Sequence, residues 1–491
     1  MNVRVREQMK SQKFRAQILF ASVVIFSLSV RLDAQTGPVA IVGGTLIDGT
    51  GRPPLADAVV IFQGGRIREV GRRGEVSVPP SAEVIDAKGK TILPGLIDGH
   101  CHLRDWMGEL YLHFGITTCP TISNNPVEWV IAQREGVRSG SIRGPRVWAA
   151  GNVIDGPAPE GLSGLRRQRS SIIVANEDDA RKAVRMLAEK GVDGYKLFER
   201  LKPRVAKAAA EEAHRLGKPV IAHSLDIFAA VDAGYQSVEH SWSVLFTSIQ
   251  DAKKKTDLDL ARMTGKISTA EAHAYMEPTM FDRIIKAMVE RNVHWSPTWG
   301  TTFRPLSPHA AEMRRQESML LKDPQLRYLP AYIPKDSERL FNLFESASPE
   351  TRGRLAAGYK MVQDFARRFV AAGGKIHFGS DPDYILAGYG LHAELQLAVD
   401  AGLSPIQAIQ GVSLNVAEAW GKQKDYGSVE KGKIADIVIV NGDPLKDITA
   451  TQQVEKFFMD GKAVDLSFHP DYKNPIPRPI PDRPEPEGGR Q

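Results

Sequence analysis

Short apolar segments alternate with amphipathic segments over most of the chain, from Leu96 to Gly421. The short segments have the length of buried strands, and the segments between them have the spacing of helices that bury one face. This alternation is typical of α/β proteins in which crossover helices join parallel strands. Eight such units predict a closed (β/α)8 barrel of the TIM type. The predicted strands are residues 95–102, 115–118, 146–151, 194–198, 220–223, 237–240, 293–298 and 375–381.

Helix end signals support the intervals between these strands. A predicted helix at 202–216 is followed by Gly217, which suits a helix C-terminus, and then by Pro219. Ser404 begins a Ser-Pro-Ile-Gln run, in which the serine caps a helix and the glutamine completes a capping box. That helix is predicted to end near Gly421. The connections after the sixth and seventh strands are long, about 50 and 75 residues, and are expected to hold lid elements.

The two ends of the chain carry a period-two pattern that predicts antiparallel strands. Residues 58–62 and 66–70 flank Gly64-Gly65, which is a two-residue hairpin signal. Residues 435–440 and 456–459 predict similar strands near the other end. The predicted domains are a small β-sandwich from residues 35–95 and 425–470, a barrel from residues 96–424, and a proline-rich, poorly ordered tail at residues 471–491.

Residues 1–34 have the order of properties of an export signal. A basic stretch ends at Arg15, an apolar run extends from Ile18 to Val30, and Ala34 offers a cleavage position. The apolar run is shorter than the roughly 20 residues that span a bilayer. We therefore expect a signal peptide at residues 1–34 and a secreted or periplasmic protein with no stable membrane span after cleavage. An uncleaved anchor is the alternative.

Charge and cysteine content narrow the classes of function. The formal net charge is +6, of which residues 1–34 contribute +4, so the rest of the chain carries only +2. This near-neutral balance gives no electrostatic case for binding nucleic acid. The only cysteines are Cys101 and Cys119, so no disulfide framework is expected. Cys101 is expected to be a free buried thiol that faces away from the flanking histidines, because side chains alternate along a strand.

Candidate metal ligands stand at the carboxyl ends of separate predicted strands. His100 and His102 end the first strand, and residues two apart on a strand face the same way, so both can bind one metal ion. Barrel enzymes place their active sites at this end of the strands. The remaining candidates, on strands four, five, six and eight, are Lys196, His223, His240 and Asp381.

The segments around these residues resemble the amidohydrolase superfamily, and specifically its imidazolonepropionase-like and Xaa-Pro dipeptidase-like members. The resemblance extends from about Ala58 to Ile448. It is carried by Leu-Pro-Gly-Leu-Ile-Asp-Gly-His-Cys-His at 93–102, Gly-Tyr-Lys at 194–196, Ala-His-Ser at 222–224, Val-Glu-His-Ser at 238–241, Gly-Ser-Asp at 379–381 and Gly-Lys-Ile-Ala-Asp at 432–436. Each segment alone is a weak signal, but together they are specific.

The resemblance implies two divalent metal ions, of which zinc is the expected identity. His100, His102 and Asp381 would hold the first metal, and His223 and His240 the second. Lys196 would bridge the two as a CO2-derived carbamate. An ordinary lysine, with a pKa of about 10.4, is a cation and cannot bind a metal. A carbamate is an anion whose two oxygens can span ions roughly 3.5–4 Å apart.

The implied activity is hydrolysis of an amide bond. A hydroxide held between the metals would attack the substrate carbonyl, and Asp381 would act as the catalytic residue that moves the proton to the leaving nitrogen. The expected substrate is a small molecule, either a dipeptide or an N-acyl amino acid. Its free carboxylate needs a cation, for which Arg304 is the candidate. His392 is a further candidate for substrate contact, and Trp299 and Phe303 either line the pocket or pack within a lid.

Two other functions remain as alternatives. A mononuclear deaminase or a cyclic amide hydrolase belongs to the same superfamily, but the bridging lysine argues against a mononuclear site. A noncatalytic binding protein is disfavoured, because all six ligands are present. The segments 117–120 and 152–157 depart from those of many relatives, so the resemblance does not identify the substrate. Assembly into a homo-oligomer is left open.

Overall fold

The structure is a computed structural model that describes residues 37–122, 125–158, 170–382 and 385–480. The strands are β1 (Val39–Leu46), β2 (Leu55–Gln63), β3 (Arg66–Arg72), β4 (Glu83–Asp86), β5 (Lys90–Pro94), β6 (Leu96–Ile97), β7 (Ile116–Thr121), β8 (Arg146–Ala149), β9 (Ile154–Asp155), β10 (Ile172–Ile173), β11 (Tyr195–Leu197), β12 (Val220–Ala222), β13 (Ser237–Glu239), β14 (His294–Ser296), β15 (Ile437–Asn441), β16 (Val454–Met459) and β17 (Lys462–Ala463).

The helices of the described residues lie mostly between the central strands. They are α1 (Gly108–His113), α2 (Val127–Ser139), α3 (Glu177–Glu189), α4 (Pro203–Arg215), α5 (Ile227–Ala233), α6 (Ser241–Ser248), α7 (Ala252–Met263), α8 (Thr269–Ala272), α9 (Phe281–Glu290), α10 (Ala310–Leu320), α11 (Ile333–Ser346), α12 (Pro349–Ala371), α13 (Tyr389–Asp400), α14 (Pro405–Gly411) and α15 (Leu414–Ala419).

Strands from both ends of the chain share one eight-stranded sheet. Its order is β17-β16-β15-β5-β1-β2-β3, and β4 pairs with β1. The antiparallel pairing of β15 with β5 joins the two ends of the chain. The predicted hairpin turn at Gly64-Gly65 is present, with φ of 59° and 75°, which glycine adopts without strain.

This sheet curls around its own apolar core. Four strand pairings separate β2 from β16, which in a flat sheet would place them roughly 19 Å apart. Instead the rings of Phe62 on β2 and Phe458 on β16 lie 5.1 Å apart, centroid to centroid. The two residues belong to one buried cluster that also includes Ile41, Ile67 and Ile437.

The middle of the chain is an α/β structure with parallel sheets. One sheet has the order β6-β7-β8 and the other the order β10-β9-β11-β12-β13-β14. Seven of the eight predicted strands appear at their predicted places, although most are shorter than expected. The eighth, at 375–381, is reduced to a single parallel bridge between Ile376 and Trp295. The ladder with β14 stops there because the next donor on that strand would be Pro297, which has no N–H, and on the other side the Phe378 N–H donates to the Gly411 carbonyl in a helix.

The backbone departs from the extended conformation at two of the predicted ligands. His240 and Asp381 both have positive φ, of 64° and 43°. For residues other than glycine such a conformation is uncommon and costly, and it occurs most often at functional sites. The strands therefore end just before these ligands.

The helix predictions agree with the structure except at one point. The helix predicted at 202–216 is α4, and the capping box of Ser404 is present at the start of α14. The helix predicted to continue from Ser404 to Gly421 is broken between α14 and α15. The break occurs because the Val412 carbonyl accepts a hydrogen bond from Ile97 N–H, at 2.7 Å, rather than from the next helical turn.

The two long connections are filled with helices. α6–α9 follow β13, and α10–α12 follow β14. No helix within the described ranges is long and apolar enough to cross a membrane. The predicted signal peptide at 1–34 lies outside the described residues.

Part of the proline-rich tail is held against the α/β part of the chain. The Asn474 amide donates to the Gln133 side-chain oxygen at 2.7 Å, and the Ile476 carbonyl accepts from the Trp129 indole at 3.1 Å. Arg478 N–H donates to Asp105 at 2.9 Å. The expectation of poor order is therefore wrong for residues 474–478, and residues 481–491 lie outside the described ranges.

The expectation that Cys101 is a free thiol is also wrong. Cys101 and Cys119 form a disulfide, with their Cα atoms 6.2 Å apart. Cys101 does face away from His100 and His102, but that direction brings it to β7, where Thr121 is its bridge partner and Cys119 lies two residues earlier. The bond therefore ties the segment that carries two predicted ligands to the next strand.

We expect this disulfide to stabilise the fold by about 2–4 kcal/mol, because it closes a loop with a sequence separation of 18 in the unfolded chain. Denaturant unfolding with dithiothreitol should show a lower free energy of unfolding than unfolding without it. The double variant Cys101→Ala/Cys119→Ala is the control and should not respond to reductant. Equal unfolding midpoints of the wild type in both conditions would contradict the prediction.

Candidate metal centre

Five of the six predicted ligands converge at the carboxyl ends of the parallel strands. Two overlapping sets of ligand atoms lie within 4.8 Å of one another: His100 with His223 and His240, and His100 with His102 and Asp381. His100 belongs to both sets. Each set offers three ligand atoms that could hold a metal ion, which matches the expected use of imidazole and carboxylate ligands.

The histidine rings are oriented by contacts on the nitrogen that faces away from the centre. His100 Nδ1 donates to the Glu239 carboxylate, so its Nε2 retains a lone pair. His240 Nδ1 lies 2.6 Å from the Thr298 hydroxyl, and its Nε2 lies 2.6 Å from Nε2 of His223. Such contacts fix the tautomer and the ring angle of metal-binding histidines.

The carboxylate of Asp381 lies between the two sets. Its Oδ1 is 3.0 Å from His102 Nε2, and its Oδ2 is 3.8 Å from His240 Nδ1. The backbone helps to hold this position, because Asp381 N–H donates to the His100 carbonyl at 2.8 Å. Asp381 is thus placed to meet groups bound on either side.

Lys196, the sixth predicted ligand, lies on β11 and is fully buried. Its Nζ has no hydrogen-bond partner among the described residues. Burial lowers the pKa of this amine to about 8, against the attraction of Glu239 and Asp381. A neutral amine is therefore accessible near neutral pH, and only the neutral form can react with CO2 or bind a metal.

The histidines are held in the form that binds metal. Burial, together with the nearby charge of Lys196, holds the pKa of His100 and of His223 well below the ordinary value. Burial and neighbouring His100 lower the pKa of His240 in the same way. Neutral imidazole is the ligand form, so the electrostatics of the site favour metal binding.

A network of buried polar groups behind the ligands was not predicted from the sequence. The Ser237 hydroxyl donates to Glu239 at 2.7 Å and lies 2.7 Å from His377 Nε2. Asp98 accepts from Ser380 N–H at 2.8 Å and from its hydroxyl at 2.5 Å. Acidic residues beside the ligands in the motifs at 93–102 and 238–241 were the available signal, since metal-binding histidines commonly donate to a carboxylate.

A second buried carboxyl supports the turn after β14. Glu394 on α13 is fully buried, and its Oε1 accepts from Gly300 N–H. Its Oε2 has no hydrogen-bond partner within the described residues. The same turn carries Thr298, whose hydroxyl contacts His240. Burial raises the pKa of Glu394 to about 8, so it is a neutral acid at pH 7.

Two aromatic side chains border His223 and His240, and neither was predicted. Trp242 stacks on His240 with ring centroids 3.9 Å apart, and it meets His223 edge-on at 5.4 Å. Phe198 lies 4.2 Å from His223, centroid to centroid. Each aromatic residue follows a predicted ligand by two positions, which is a signal that the sequence offered.

The predicted substrate contact of Arg304 does not fit its position. Arg304 is fully buried, and Nη1 donates to Glu317 at 2.6 Å while Nε donates to the Gly300 carbonyl at 3.0 Å. A guanidinium removed from solvent and paired in this way would have to break the Glu317 pair to meet a substrate, which is costly. Arg304 instead fastens the connection after β14 to α10.

The remaining candidates pack within the protein. His392 is buried, with Nδ1 2.9 Å from the Thr451 hydroxyl and Nε2 3.1 Å from the Phe114 carbonyl. It lies away from the metal ligands because those contacts fix it against α1 and the 448–452 turn. Trp299 and Phe303 are fully buried, so they pack rather than line a pocket.

Residues 91–464 match the amidohydrolase family. A dihydroorotase from Pelotomaculum thermopropionicum is 25% identical over 82% of this chain and 88% of its own length. An imidazolonepropionase from Symbiobacterium thermophilum is 26% identical over 79% of this chain and 86% of its own. A solved structure of a putative prolidase from Bifidobacterium longum superposes with a TM-score of 0.63 and 22% identity, and the superposition covers 90% of this chain and 97% of that one.

Other curated relatives match over only part of their own length, between 13% and 53%. The family match nevertheless covers well over half of this chain. The chain therefore belongs to the amidohydrolase family, as the sequence motifs predicted. It is a hydrolase that acts on carbon–nitrogen bonds, and its described residues include a histidine and aspartate cluster that can hold metal.

The buried acid Glu394 should make the stability of the metal-free protein depend on pH. Its pKa in the folded state is about 8, against an ordinary value of 4.5. The folded state therefore keeps a proton that the unfolded state loses, and stability should fall as pH rises through this window, by up to about 1.4 kcal/mol per pH unit. Chemical unfolding at several pH values measures this slope.

Glu394→Gln keeps an acceptor for Gly300 N–H and cannot ionise, so its slope should be smaller than that of the wild type. Glu189→Gln, at an exposed position on α3, is the matched control and should keep the wild-type slope. Identical slopes for Glu394→Gln and the wild type would refute the role of this acid.

Proposed function

We propose that this protein is a two-metal amidohydrolase that cleaves the amide bond of a dipeptide or an N-acyl amino acid. The observation that carries the proposal is the convergence of two overlapping ligand sets beside the buried amine of Lys196, which has no hydrogen-bond partner in the described part of the chain. A single metal ion would need only one of these sets.

We further propose that the parallel sheets belong to a closed (β/α)8 barrel. Three backbone contacts support closure between the sheets. Gly194 N–H donates to Ala149 O at 3.3 Å, His377 N–H to Trp295 O at 2.9 Å, and Gly99 N–H to Phe378 O at 2.9 Å.

The close approach of the first and last strands supports the same conclusion, because a Cβ at Gly379 would lie only 2.0 Å from the nitrogen of His100. The contact between Phe62 and Phe458 likewise supports a sandwich built from the eight-stranded sheet of the chain ends.

The residues present fit a pair of divalent ions. His100 Nε2 and Lys196 Nζ are buried and have no hydrogen-bond partner among the described residues, which is costly unless a ligand meets them. His100, His102 and Asp381 would hold one ion, and His223 and His240 the other. Nitrogen and carboxylate ligands of this kind suit zinc. When bound, the ions would supply an activated water molecule and would polarise the substrate carbonyl.

Lys196 would link the two ions as a carbamate. Its neutral amine adds to the carbon of CO2, a C–N bond forms, and the proton that the nitrogen gives up goes to solvent. The product is an anion with two oxygens, which removes the cost of burying an ammonium group between histidines. The lowered pKa of the amine supports this step, because more of the neutral form is present.

Asp381 would be the catalytic residue that moves the proton. It would accept the proton of the attacking water and deliver it to the leaving nitrogen, so that an amine rather than an amide anion departs. Glu239 and Thr298 would hold the rings of His100 and His240 during this step.

The substrate proposal rests on the similarity to the putative prolidase structure, which spans almost the whole of that chain. A cyclic amide is the second candidate, because the similarity to a dihydroorotase covers 82% of this chain. An open-chain and a cyclic amide present the same carbonyl and nitrogen to the centre, so comparing the two substrate classes separates them directly.

We also propose that residues 1–34 direct the protein out of the cytoplasm and are then removed. The Cys101–Cys119 disulfide supports this, since such bonds persist mainly in oxidising compartments. In a Gram-negative host, cell fractionation should place the protein in the periplasm with a new N-terminus near Gln35. A soluble cytoplasmic product that retains Met1 would overturn this proposal.

The central test measures metal content and turnover together. Protein prepared with zinc and bicarbonate should hold about two metal ions per chain. Asp381→Asn keeps the shape of the side chain but not its basicity, so turnover of N-acyl amino acids should fall by at least about a hundredfold. The matched variant Asp232→Asn, at an exposed position on α5, should keep wild-type turnover.

Lys196→Met has a similar length and cannot form a carbamate, so its metal content should fall below that of the wild type. One tightly bound metal per chain in the wild type, without modification of Lys196, would rule out the two-metal site. Near-normal turnover of metal-loaded Asp381→Asn would rule out the proton transfer.

A further inference from the structure

The ligand set of His100, His223 and His240 is bordered by aromatic surface that the proposed mechanism does not use. Seven of the eight residues of α6 are buried, and Trp242 is the exception, being only half-buried. A large aromatic residue is thus the one part of this helix that reaches solvent. Apolar surface left in water is unfavourable, so a large aromatic side chain in this place suggests contact with a bound molecule.

The position of Trp242 puts it on the substrate side of the centre. It follows His240 by two residues at the start of α6, beyond the carboxyl end of β13, and this is the end of a barrel strand at which substrates bind. Its ring lies almost parallel to that of His240, with 24° between the planes and 3.9 Å between the centroids. A group held at a ring nitrogen of His240 would therefore lie near the indole.

Phe198 repeats this placement on the neighbouring strand. It follows Lys196 by two residues, is half-buried, and lies against His223 at 4.2 Å, centroid to centroid. Trp242 meets the same histidine edge-on at 5.4 Å. His223 therefore lies between the two aromatic rings.

The indole nitrogen of Trp242 adds a polar feature to this surface. Trp242 Nε1 is a buried donor and has no hydrogen-bond partner among the described residues. An unsatisfied buried donor is unfavourable, and a hydrogen bond to a bound ligand would remove this cost. The pair thus combines an apolar surface with one donor, which is typical of small-molecule sites.

We propose that Trp242 and Phe198 form an aromatic wall that selects amides with an apolar group next to the scissile bond, and that Trp242 Nε1 donates to an oxygen of that substrate. This inference rests on the proposed function and deepens it, because it names the class of substituent that the site accepts. Small polar amides would leave the wall exposed to water and would be poorer substrates.

The test compares two matched substrate pairs: N-acetyl-alanine with N-benzoyl-alanine, and N-acetyl-alanine with N-acetyl-phenylalanine. The wild type should have a higher kcat/KM for the apolar member of at least one pair. Trp242→Ala and Phe198→Ala should each lower that preference by about tenfold or more, since filling an apolar pocket is worth about that much. Metal content is measured for every variant, because the removed rings contact metal ligands.

Trp242→Phe separates the ring from the donor. It keeps an aromatic surface, so the preference should persist, while kcat/KM for both members should fall by about 3- to 10-fold through loss of one hydrogen bond. The control is Trp420→Phe. Trp420 also has a buried indole nitrogen without a partner in the described part of the chain, but it packs on Trp148, and its variant should keep both values.

An unchanged preference in Trp242→Ala with full metal content would overturn the wall, and an unchanged kcat/KM in Trp242→Phe would overturn the hydrogen bond. If the metal-loaded wild type hydrolyses no member of either pair, the proposed function fails instead. Calorimetric binding of N-benzoyl-alanine and N-acetyl-alanine then tests the wall separately. Equal loss of affinity for both compounds in Trp242→Ala would contradict the inference.

Discussion

Lys196 is buried without a hydrogen-bond partner among the described residues, and this is the constraint on which the rest of the centre depends. An ammonium group in this position would face three neutral imidazoles in a region that excludes water, and such a charge is expensive to keep. The pKa shifts of the surrounding groups are consistent with this cost. Burial lowers the pKa of His100, His223 and His240 and that of Lys196 itself, and the attraction of Glu239 and Asp381 opposes the shift at Lys196.

The fold holds these groups together by contacts that lie outside the ligand sets. Glu239 and Thr298 each fix one imidazole, and Ser380 fixes the end of the last predicted strand through Asp98. The disulfide ties the first ligand segment to β7. Positive φ at His240 and Asp381 shows that the backbone itself departs from regular geometry to place these two side chains. The uncommon backbone conformation at His240 and Asp381 is thus surrounded by hydrogen bonds and a disulfide that hold the ligand segments in place.

The parts of the site that follow from local rules could be predicted from the sequence. Side-chain alternation placed His100 and His102 together, and the barrel rule placed Lys196, His223 and Asp381 at one end of the strands. The alternation of side chains did not predict the positions of residues where the backbone departs from a regular strand. Because His240 has positive φ, it and its neighbour Glu239 both reach the interior, whereas a regular strand would separate them.

Contacts between residues that lie far apart in the sequence could not be predicted from local sequence patterns. The Cys101–Cys119 bond depends on the register between β6 and β7, which neither segment specifies alone. Arg304 follows the seventh strand closely, as predicted, but Glu317, thirteen residues later on α10, pairs with the guanidinium and turns it inward. Glu394 reaches the turn at Gly300 from a helix almost a hundred residues further along the chain.

The same distinction explains why the chemistry of this protein is easier to derive than its substrate. The metal ligands come from strand ends, whose geometry the fold repeats. The surroundings of the substrate come from residues just beyond those ends, where the chain is free to vary. Trp242 and Phe198 share features of both groups of residues. Each follows a proposed metal ligand by two residues, which fixes its position, but metal binding does not require an aromatic side chain there. Substitution of a residue whose position is fixed but whose side chain is not required for metal binding can change the substrate specificity without changing the fold.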